Sequence, residues 1–566
     1  MFRKNSMQQL NLDDKIVNMP KYLRRNLEKS WATPFHKYVF SKINEDRFEV
    51  LYSDIVSRPN VPVNVLIALL ILKENFGLSD EDLVGSLHFD MRFQYALGTT
   101  SYEKQPVSIN TLYNFRSRVL EYEKLTGRDL IKEEIESIAS TMEEEMNIDG
   151  KMLRMDSMMI SSSCKKLSRI ELVYTVNLKM IKLLNKVNPT IIPEELKCYL
   201  EDGHKNETIY RTRDKDTVSK LEWLIGHTVL LHKASFAQDK DITESEAFQL
   251  LTRLLEEQTK LDEEAKVIPK DGKELHSEIL QNPSDPDATY RKKYSGNVGY
   301  VANIVESFND ESGIISHYDF KQNTYSDSKF CEDLLDTLGE AEGVNVLTDG
   351  AYYSYELDKK AKKQGIKLNP GQLVGKAPSE DKLPYAAFEI DEETNKIISC
   401  PNKEKPQMSY YSKSSHTAKF KTEQCERCPL FTQCPVKKEK KGYSVKFSHK
   451  SYETCKLREK MTTKEYIQLT NKRAGVEGIP SVIRRKYHAD DMPVRGLLRS
   501  KMWFGFKVGA YNFNKMLRYL KKKGNLGLIL LIMNILHTIY GNYRVNLNNS
   551  RKFSLIKISK AAVFGV

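Results

Sequence analysis

The sequence predicts a mixed α/β protein with a partly antiparallel sheet, preceded by an all-helical region and interrupted by a long helical segment. Three observations predict it. Between Val61 and Glu123 apolar residues recur at helical spacing, with serines placed as caps. Short apolar runs of strand type appear at 152–162 and again between 296 and 371. The stretch Lys165 to Leu280 between them is charged and helical in period, so the sheet is left and re-entered.

In chain order, "VPVNVLIALLILKENFG" carries apolar residues over a wide face and stops at Gly77. "LSDEDLVGSLHFDMRFQYALG" follows, with Ser79 as N-cap and Asp82 three residues on. "SINTLYNFRSRVL" is a further helix, capped by Ser108 and carrying Arg116 and Arg118. Short basic helices joined by short turns fit a helix-turn-helix-like DNA-binding module, and an ordinary helical domain fits the same pattern. Met152 to Ser162 reads as a strand. "GNVGYVANIVES" and "SGIISHYDF" read as a hairpin around Asn309-Asp310-Glu311. "SDSKFCEDLLDTLGEAEG" is an amphipathic helix that Ser326 caps. "VNVLTDG" is a short apolar strand, "YSYELDKKAKKQG" a helix stopped by Gly365, and "IKLNPG" another short strand.

The chain of 566 residues is too long for one core, so several domains or large insertions are expected. Hydrophobic residues at 40% and charged residues at 29% fit a soluble globular protein. The formal charge of +12 permits a polyanionic partner without requiring one. "MFRKNSMQQLNLDDK" lacks an apolar signal region, and Gly524 to Tyr540 is short, with polar residues within it, so a buried helix is expected there rather than a membrane span. Both point to a cytoplasmic protein with no membrane partner. In that setting the 8 cysteines favour reduced thiols or a metal site over disulfides.

Two aspartates stand out. Asp156 lies inside the apolar run "RMDSMMISSS", where a carboxylate loses water and needs compensation. It is either a turn residue or a metal ligand projecting from the middle of a sheet. Asp349 follows the strand of "VNVLTDG" and precedes Gly350, at the kind of strand end where α/β sheets collect their sites. Its alternative role is an N-cap for the helix beginning near Tyr352. The best third acid is Glu477 in "TNKRAGVEGIPSVIRRKY". At about 100° per residue, Arg473, Glu477 and Arg484 fall within roughly 40° of one another on a helix. One face then presents a carboxylate flanked by two guanidinium groups, which suits a metal ion beside a phosphodiester. A solvated Arg–Glu pair is the plainer reading, and Gly475, Gly478 and Pro480 weaken the helix. Asp490 and Asp491 are rivals for the third position, in an irregular stretch before Pro493.

These residues resemble the bacterial insertion-sequence transposases of the DDE superfamily. The stretch 61–123 resembles their N-terminal helical domain, and "DGKMLRMDS" looks like the first-aspartate strand. "DPDATYRKKYSGNVGYVANIV" resembles the segment that opens the second strand, and "FKQNTYSD" and "LTDGAYYS" resemble the approach to the second aspartate and that aspartate itself. The R-x3-E-x6-R spacing at Arg473, Glu477 and Arg484 is similar to the family's Y-x2-R-x3-E-x6-K signature. Thr470 stands where that signature has tyrosine and Arg484 where it has lysine; Tyr466, earlier on the same helix, is a candidate substitute for the tyrosine. The resemblance implies an RNase H-like catalytic core with Asp156, Asp349 and Glu477 as catalytic ligands of two magnesium or manganese ions. It implies cleavage at the terminal inverted repeats and joining of the 3′-hydroxyl ends to target DNA, by a homodimer assembled on DNA. A metal-dependent nuclease without strand transfer and a catalytically silent DNA-binding regulator are the alternatives.

Cys400, Cys425, Cys428 and Cys434 form a separate group. Cys425 and Cys428 have the spacing of a zinc knuckle, and four thiolates can close a structural zinc site. Unliganded thiols on a loop are the alternative. The following run holds Lys437 and Lys438, which suit phosphate contacts or a solvated loop. The aromatics of "SKMWFGFKVGAYNFNKMLRYLKKK" suit packing of the last helix on the sheet, or stacking on unpaired bases. Arg473, Arg484, Arg116, Arg118, Lys437 and Lys438 are thus the candidate DNA contacts. The expected organisation is a helical DNA-binding domain at 1–145 and core segments at 146–164, 281–390 and 442–520. A helical insertion at 165–280, a zinc-binding insertion at 391–441 and a C-terminal helix and tail at 521–566 complete it.

Overall fold

A computed structural model describes residues 1–5, 14–53, 55, 59–210, 216–292, 296–375, 379 and 381–549, with side chains described as far as Gly524. The chain is mixed α/β with a helical N-terminal region. That region comprises α1 (Lys21–Glu28), α2 (Ala32–Tyr38), α3 (Val63–Phe76), α4 (Asp80–Phe89), α5 (Met91–Ala96), α6 (Ile109–Thr126) and α7 (Leu130–Glu145). Residues Val63 to Leu72 of α3 are all buried, so this helix has no polar face and runs through the middle of the bundle. It ends at Gly77 in the left-handed region (φ 66°), where a side chain would be strained. Ser79 caps α4 by accepting the Asp82 N–H, and Ser108 caps α6 with Thr111 as its reciprocal partner.

β1 (Met152–Ser161) opens the main sheet. The chain then forms α8 (Arg169–Val187), α9 (His204–Tyr210), α10 (Thr217–Phe236), α11 (Lys240–Thr243) and α12 (Glu246–Gln258), followed by a small ladder of β2 (Thr259–Leu261) and β3 (Val267–Pro269). This helical segment buries its own cluster, which includes Tyr174, Met180, Leu224 and Leu251. β4 (Thr289–Lys292), β5 (Gly296–Phe308) and β6 (Gly313–Gln322) return to the sheet; α13 (Asp327–Leu338), β7 (Asn345–Thr348), α14 (Tyr355–Lys363) and β8 (Lys367–Pro370) complete it. The strand order is β4-β5-β1-β7-β8, with β6 also paired to β5. β1 is antiparallel to β5 and parallel to β7, and β7 is parallel to β8.

Alternation along β1 feeds two cores. Leu153 and Met155 join Phe330, Leu335 and Val346 beneath α13 and α14. Met158 and Ile160 join the larger core shared with the N-terminal helices.

Next come β9 (Glu389–Ile390) paired with β10 (Ile397–Ser399), then β11 (Met408–Ser412), β12 (Ser415–Phe420), α15 (Thr422–Glu426), β13 (Lys437–Glu439) and β14 (Gly442–Ser448). The order β11-β12-β14-β13 carries this sheet on to Ser448, and residue 441 falls in the turn of the β13–β14 hairpin. α16 (His449–Met461), α17 (Lys464–Asn471), a 3-10 segment (Lys472–Glu477) and α18 (Gly478–Tyr487) lead to α19 (Leu497–Asn549).

The first part of α19 lies against α3, α7 and β6, and buries Trp503, Phe504, Phe506, Tyr511 and Phe513. Those aromatics are therefore core residues and are closed to DNA bases. Gly509 permits the close approach, since a Cβ there would stand 2.8 Å from Ile135 Cδ1. Asn512 accepts the Ile315 N–H at 3.0 Å and donates to the Ile315 carbonyl at 2.8 Å. It thereby satisfies the backbone where the β5–β6 ladder shifts register. Asp285 and Asp287 accept the N–H groups of Gly496 and Leu497 at 3.0 and 2.8 Å, placing carboxylates at the start of α19. The side chains expected to make Gly524 to Tyr540 a buried helix lie, from residue 525, outside the described residues. Among the described residues no helix is long and apolar enough to cross a membrane.

Candidate active site and cysteine cavity

The parallel pairing of β1 with β7 sets the geometry of the acids. Arg154 lies opposite Leu347. Two residues beyond that pair stand Asp156 on β1 and Asp349 just past β7, so continuing the register brings these two positions next to each other across the strands. Asp156 is a strand residue, and its turn alternative is excluded. Asp349 lies just beyond β7, where it caps a 3-10 turn by accepting the Gly350 N–H at 2.6 Å. The helix α14 has its own cap, Ser354, so Asp349 does not serve that helix. Gln372, just past β8, donates to Asp349 at 3.0 Å. Gly350 is required for this approach: a Cβ there would lie 2.6 Å from the Gln372 carbonyl oxygen.

Glu477 arrives on the 3-10 segment, which packs against both β1 and β7. Arg473 connects it to the first acid. Its Nη1 is 3.2 Å from Glu477 Oε1 and its Nη2 is 3.5 Å from Asp156 Oδ1. The segment is fastened to the sheet by Arg154, which donates to the Lys472 carbonyl at 2.6 Å and pairs with the fully buried Glu306 at 2.7 Å. The Arg154 guanidinium also lies 4.2 Å over the Phe308 ring, and Lys515 of α19 reaches Glu306 at 3.4 Å. Gly475 rests on this guanidinium, and a Cβ there would collide with it.

The continuous helical face expected for Arg473, Glu477 and Arg484 is corrected. Gly475, Gly478 and Pro480 break the helix at 472–477, so the 100° progression does not hold across it. Only Arg473 touches Glu477. Arg484 donates to the Met159 carbonyl at 2.6 Å and pairs with Asp490 at 2.8 Å, clamping α18 to β1. Asp490 is thereby engaged, and Asp491 lies 3.5 Å from His488. Tyr466 is buried and donates to the Pro370 carbonyl at 2.9 Å, so it is not presented to DNA. Burial pushes its phenol above the usual value.

Among the other candidates, Arg116 forms a two-pronged pair with Asp80 at 2.7 and 2.8 Å, and Lys73 shares that carboxylate at 2.6 Å. The Arg116 guanidinium holds Asp80 well below the usual carboxylate range. Glu123, further along the same helix, is paired with Lys501 at 2.7 Å. Arg118 lies 5.1 Å over the Tyr52 ring. Lys437 and Lys438 lie on β13, both exposed, with Lys438 3.9 Å from Glu426.

Cys400, Cys425, Cys428 and Cys434 line one small cavity of about 20 Å³, together with Glu404 and Gln424. Two tight turns deliver them. The Cys400 N–H bonds to the Glu404 carbonyl at 3.0 Å, and the Cys428 N–H to the Cys425 carbonyl at 3.1 Å. Burial first, then the neighbouring thiols, push Cys425 up to about 11. The space matches one water or one ion. Among the described residues no three His, Cys, Asp or Glu side chains are gathered tightly enough to hold an ion as they stand.

Sequence reasoning missed Arg154, Gly475 and Gln372. Arg154 had a signal, since it lies two residues from Asp156 on the same strand face. Gln372 had none, because its approach to Asp349 depends on the pairing of β7 with β8.

Residues 28–118 match the family described as Transposase domain (DUF772), and residues 399–517 match Transposase DDE domain. Both matches support a DDE-family insertion-sequence transposase. The second match contains all four cysteines of the cavity together with Arg473, Glu477 and Arg484. Comparisons with curated proteins and with solved structures returned no match.

The contact between Gly475 and Arg154 yields a test. Gly475→Ala should loosen residues 472–477 and raise their amide hydrogen exchange about tenfold, equivalent to ~1.4 kcal/mol. Exchange in α3 should stay unchanged. Unaltered exchange at 472–477, measured by mass spectrometry, would contradict the fastening role of Arg154.

Proposed function

We propose that this chain cuts DNA at the ends of its own element and joins the freed 3′-hydroxyls to target DNA, with Asp156, Asp349 and Glu477 as the catalytic acids. The observation that carries the reading is the β1–β7 register that sets Asp156 beside Asp349, with Glu477 drawn in through Arg473. Antiparallel strands on one side of β1 and parallel strands on the other suit an RNase H-like core. Transposases with a DDE domain act on DNA and generally use divalent metals.

The donor chemistry fits such a cation: one carboxylate in the middle of β1, one just past the end of the adjacent β7 and a third on a neighbouring segment. Asp156, Asp349 and Glu477 would hold it, and when bound it supplies positive charge to the scissile phosphate. The chain's own groups account for the rest. Gln372 and the Gly350 N–H fix the orientation of Asp349. Arg473 offsets the repulsion between Asp156 and Glu477, and its guanidinium is placed to receive a phosphate beside them. Residues 28–118 are the proposed reader of the element ends. Because Arg116 is held by Asp80, the exposed face of α6 at Asn110, Tyr113, Asn114, Ser117 and Arg118 is the better candidate for groove contacts. Two copies assembled on paired ends would complete the reaction.

The cysteine cavity supports a structural zinc site. Its thiols arrive on two turns and enclose room for one ion. Such an ion would tie the 400 turn to the 425–434 segment.

Two outcomes follow. Asp156→Asn, Asp349→Asn and Glu477→Gln should each reduce end cleavage at least about 1,000-fold, roughly 4 kcal/mol. End-DNA affinity should be retained, because phosphate contacts elsewhere supply it. Cleavage at wild-type rates in any of the three would overturn that residue's assignment; wild-type cleavage without joining would leave a nuclease. Purified protein should also carry about one zinc per chain, lost in Cys425→Ser/Cys428→Ser. Full zinc content in that variant, by elemental analysis, would reject the site.

A further inference from the structure

A second feature lies beyond the acids, on the far side of the cysteine cavity. A groove of about 680 Å³ opens between the segment 379–385, the stretch Cys434 to Lys437 and the first three turns of α16. Lys382, Lys437, Lys450 and Arg458 line it, and among the described residues no carboxylate does. Among the described residues none of these four cations has a carboxylate partner; Lys382 donates to the Thr432 carbonyl at 3.2 Å. By contrast, Arg116, Arg154, Arg473, Arg484, Lys501 and Lys507 are each paired with an acid. Four positive charges converging from three chain segments repel one another. An arrangement of this kind is held by the fold for an anionic occupant.

The surroundings point to a long anion. From Lys437 the positive charge continues along β13 to Lys440 and Lys441, both exposed. The acids beside that strip are already compensated, Glu439 by Lys419 at 3.1 Å and Glu426 by Lys438 at 3.9 Å. The opening turns of α16, where the helix dipole is positive, form one wall of the groove; there Thr454 donates to the Lys450 carbonyl at 2.7 Å and Ser451 bonds Ser448 at 2.8 Å. Both walls are linked to the acids in chain order: Lys382 follows Gln372, which bonds Asp349, by ten residues in sequence, and α16 leads through α17 to Glu477. Tyr466 closes the circuit by joining α17 to the end of β8 at Pro370.

We propose that this groove binds the sugar-phosphate backbone of DNA running past the acidic site. The proposal rests on the transposase reading, and it gives the cysteine-bearing sheet a role in holding substrate: Cys434 and Val436 line both the cavity and the groove.

The test is the salt dependence of binding to a fluorescein-labelled DNA duplex, read by anisotropy with the full-length protein. Each phosphate contact contributes a slope of about 0.9 in log affinity against log salt. Lys382→Gln/Lys450→Gln/Arg458→Gln should therefore flatten the slope by about 2 to 3. Lys182→Gln/Lys186→Gln/Lys233→Gln, exposed lysines of the helical segment, should leave it unchanged. Circular dichroism and zinc content should match wild type in both. The three groove substitutions made singly, each expected to flatten the slope by about 0.9, decide the matter if the triple variant folds poorly. An unchanged slope in the groove variants, or equal flattening in both sets, overturns the groove while leaving the transposase reading intact. A wild-type protein with no salt-dependent affinity for DNA overturns both.

Discussion

The acidic site depends on where Arg154 puts its guanidinium. The side chain leaves β1 two residues before Asp156, on the same face, and meets Glu306 directly across the β1–β5 ladder. Glu306 is fully buried, so its charge is tolerable only while paired, and removing either partner of such a pair is strongly destabilising. The same guanidinium reaches out of the sheet to the Lys472 carbonyl. One residue therefore fixes the pairing of the two central strands and the position of the segment that brings Arg473 and Glu477. Lys515 extends the joint to α19, so the last helix, the sheet and the Glu477 segment share one electrostatic anchor.

That anchor explains why the broken helix at 472–477 matters. A regular helix would turn Glu477 according to its own periodicity. The 3-10 segment instead takes its position from the sheet, through Arg154 beneath Gly475 and Arg473 across to Asp156. The larger core runs without interruption from Phe35 and Leu69 of the N-terminal helices through Ile304 and Tyr318 to Phe504 and Phe513. DNA held by residues 28–118 would consequently be fixed relative to the acids by packed side chains, with α19 as the shared element. The helical segment 169–258 keeps a separate core and reaches the sheet partly through Asp285, which accepts from the Tyr300 hydroxyl at 2.5 Å.

Much of this was legible in the sequence because it was local. Period-2 alternation located β1 and the β5–β6 hairpin, serine caps located α4, α6 and α13, and the apolar run ending at Asp349 located β7. The site was legible as far as Asp156 and Asp349, since a carboxylate in an apolar run and another at a strand end are anomalies that demand a reason. What was not legible depends on partners distant in the chain. Arg116 and Arg484 look like free cations in the sequence; Asp80 and the Met159 carbonyl, which occupy them, are brought near only by packing. Tyr466 has the right spacing for a substrate-facing tyrosine, and its burial against Pro370 is a tertiary fact. The break at 472–477 was signalled by Gly475, Gly478 and Pro480, but its consequence for Arg484 required knowing what the 3-10 segment packs against.

The central claim is that Asp156 in the middle of β1, Asp349 just past β7 and Glu477 form one cation site. Iron(II)-directed cleavage of the polypeptide tests it most directly, because a redox-active ion bound at the site cuts the backbone beside its own ligands. With ascorbate and peroxide, the account predicts fragments ending near residues 156, 349 and 477, all suppressed together by excess magnesium. Cuts near 156 and 349 without one near 477, or cuts that magnesium does not suppress, would contradict it.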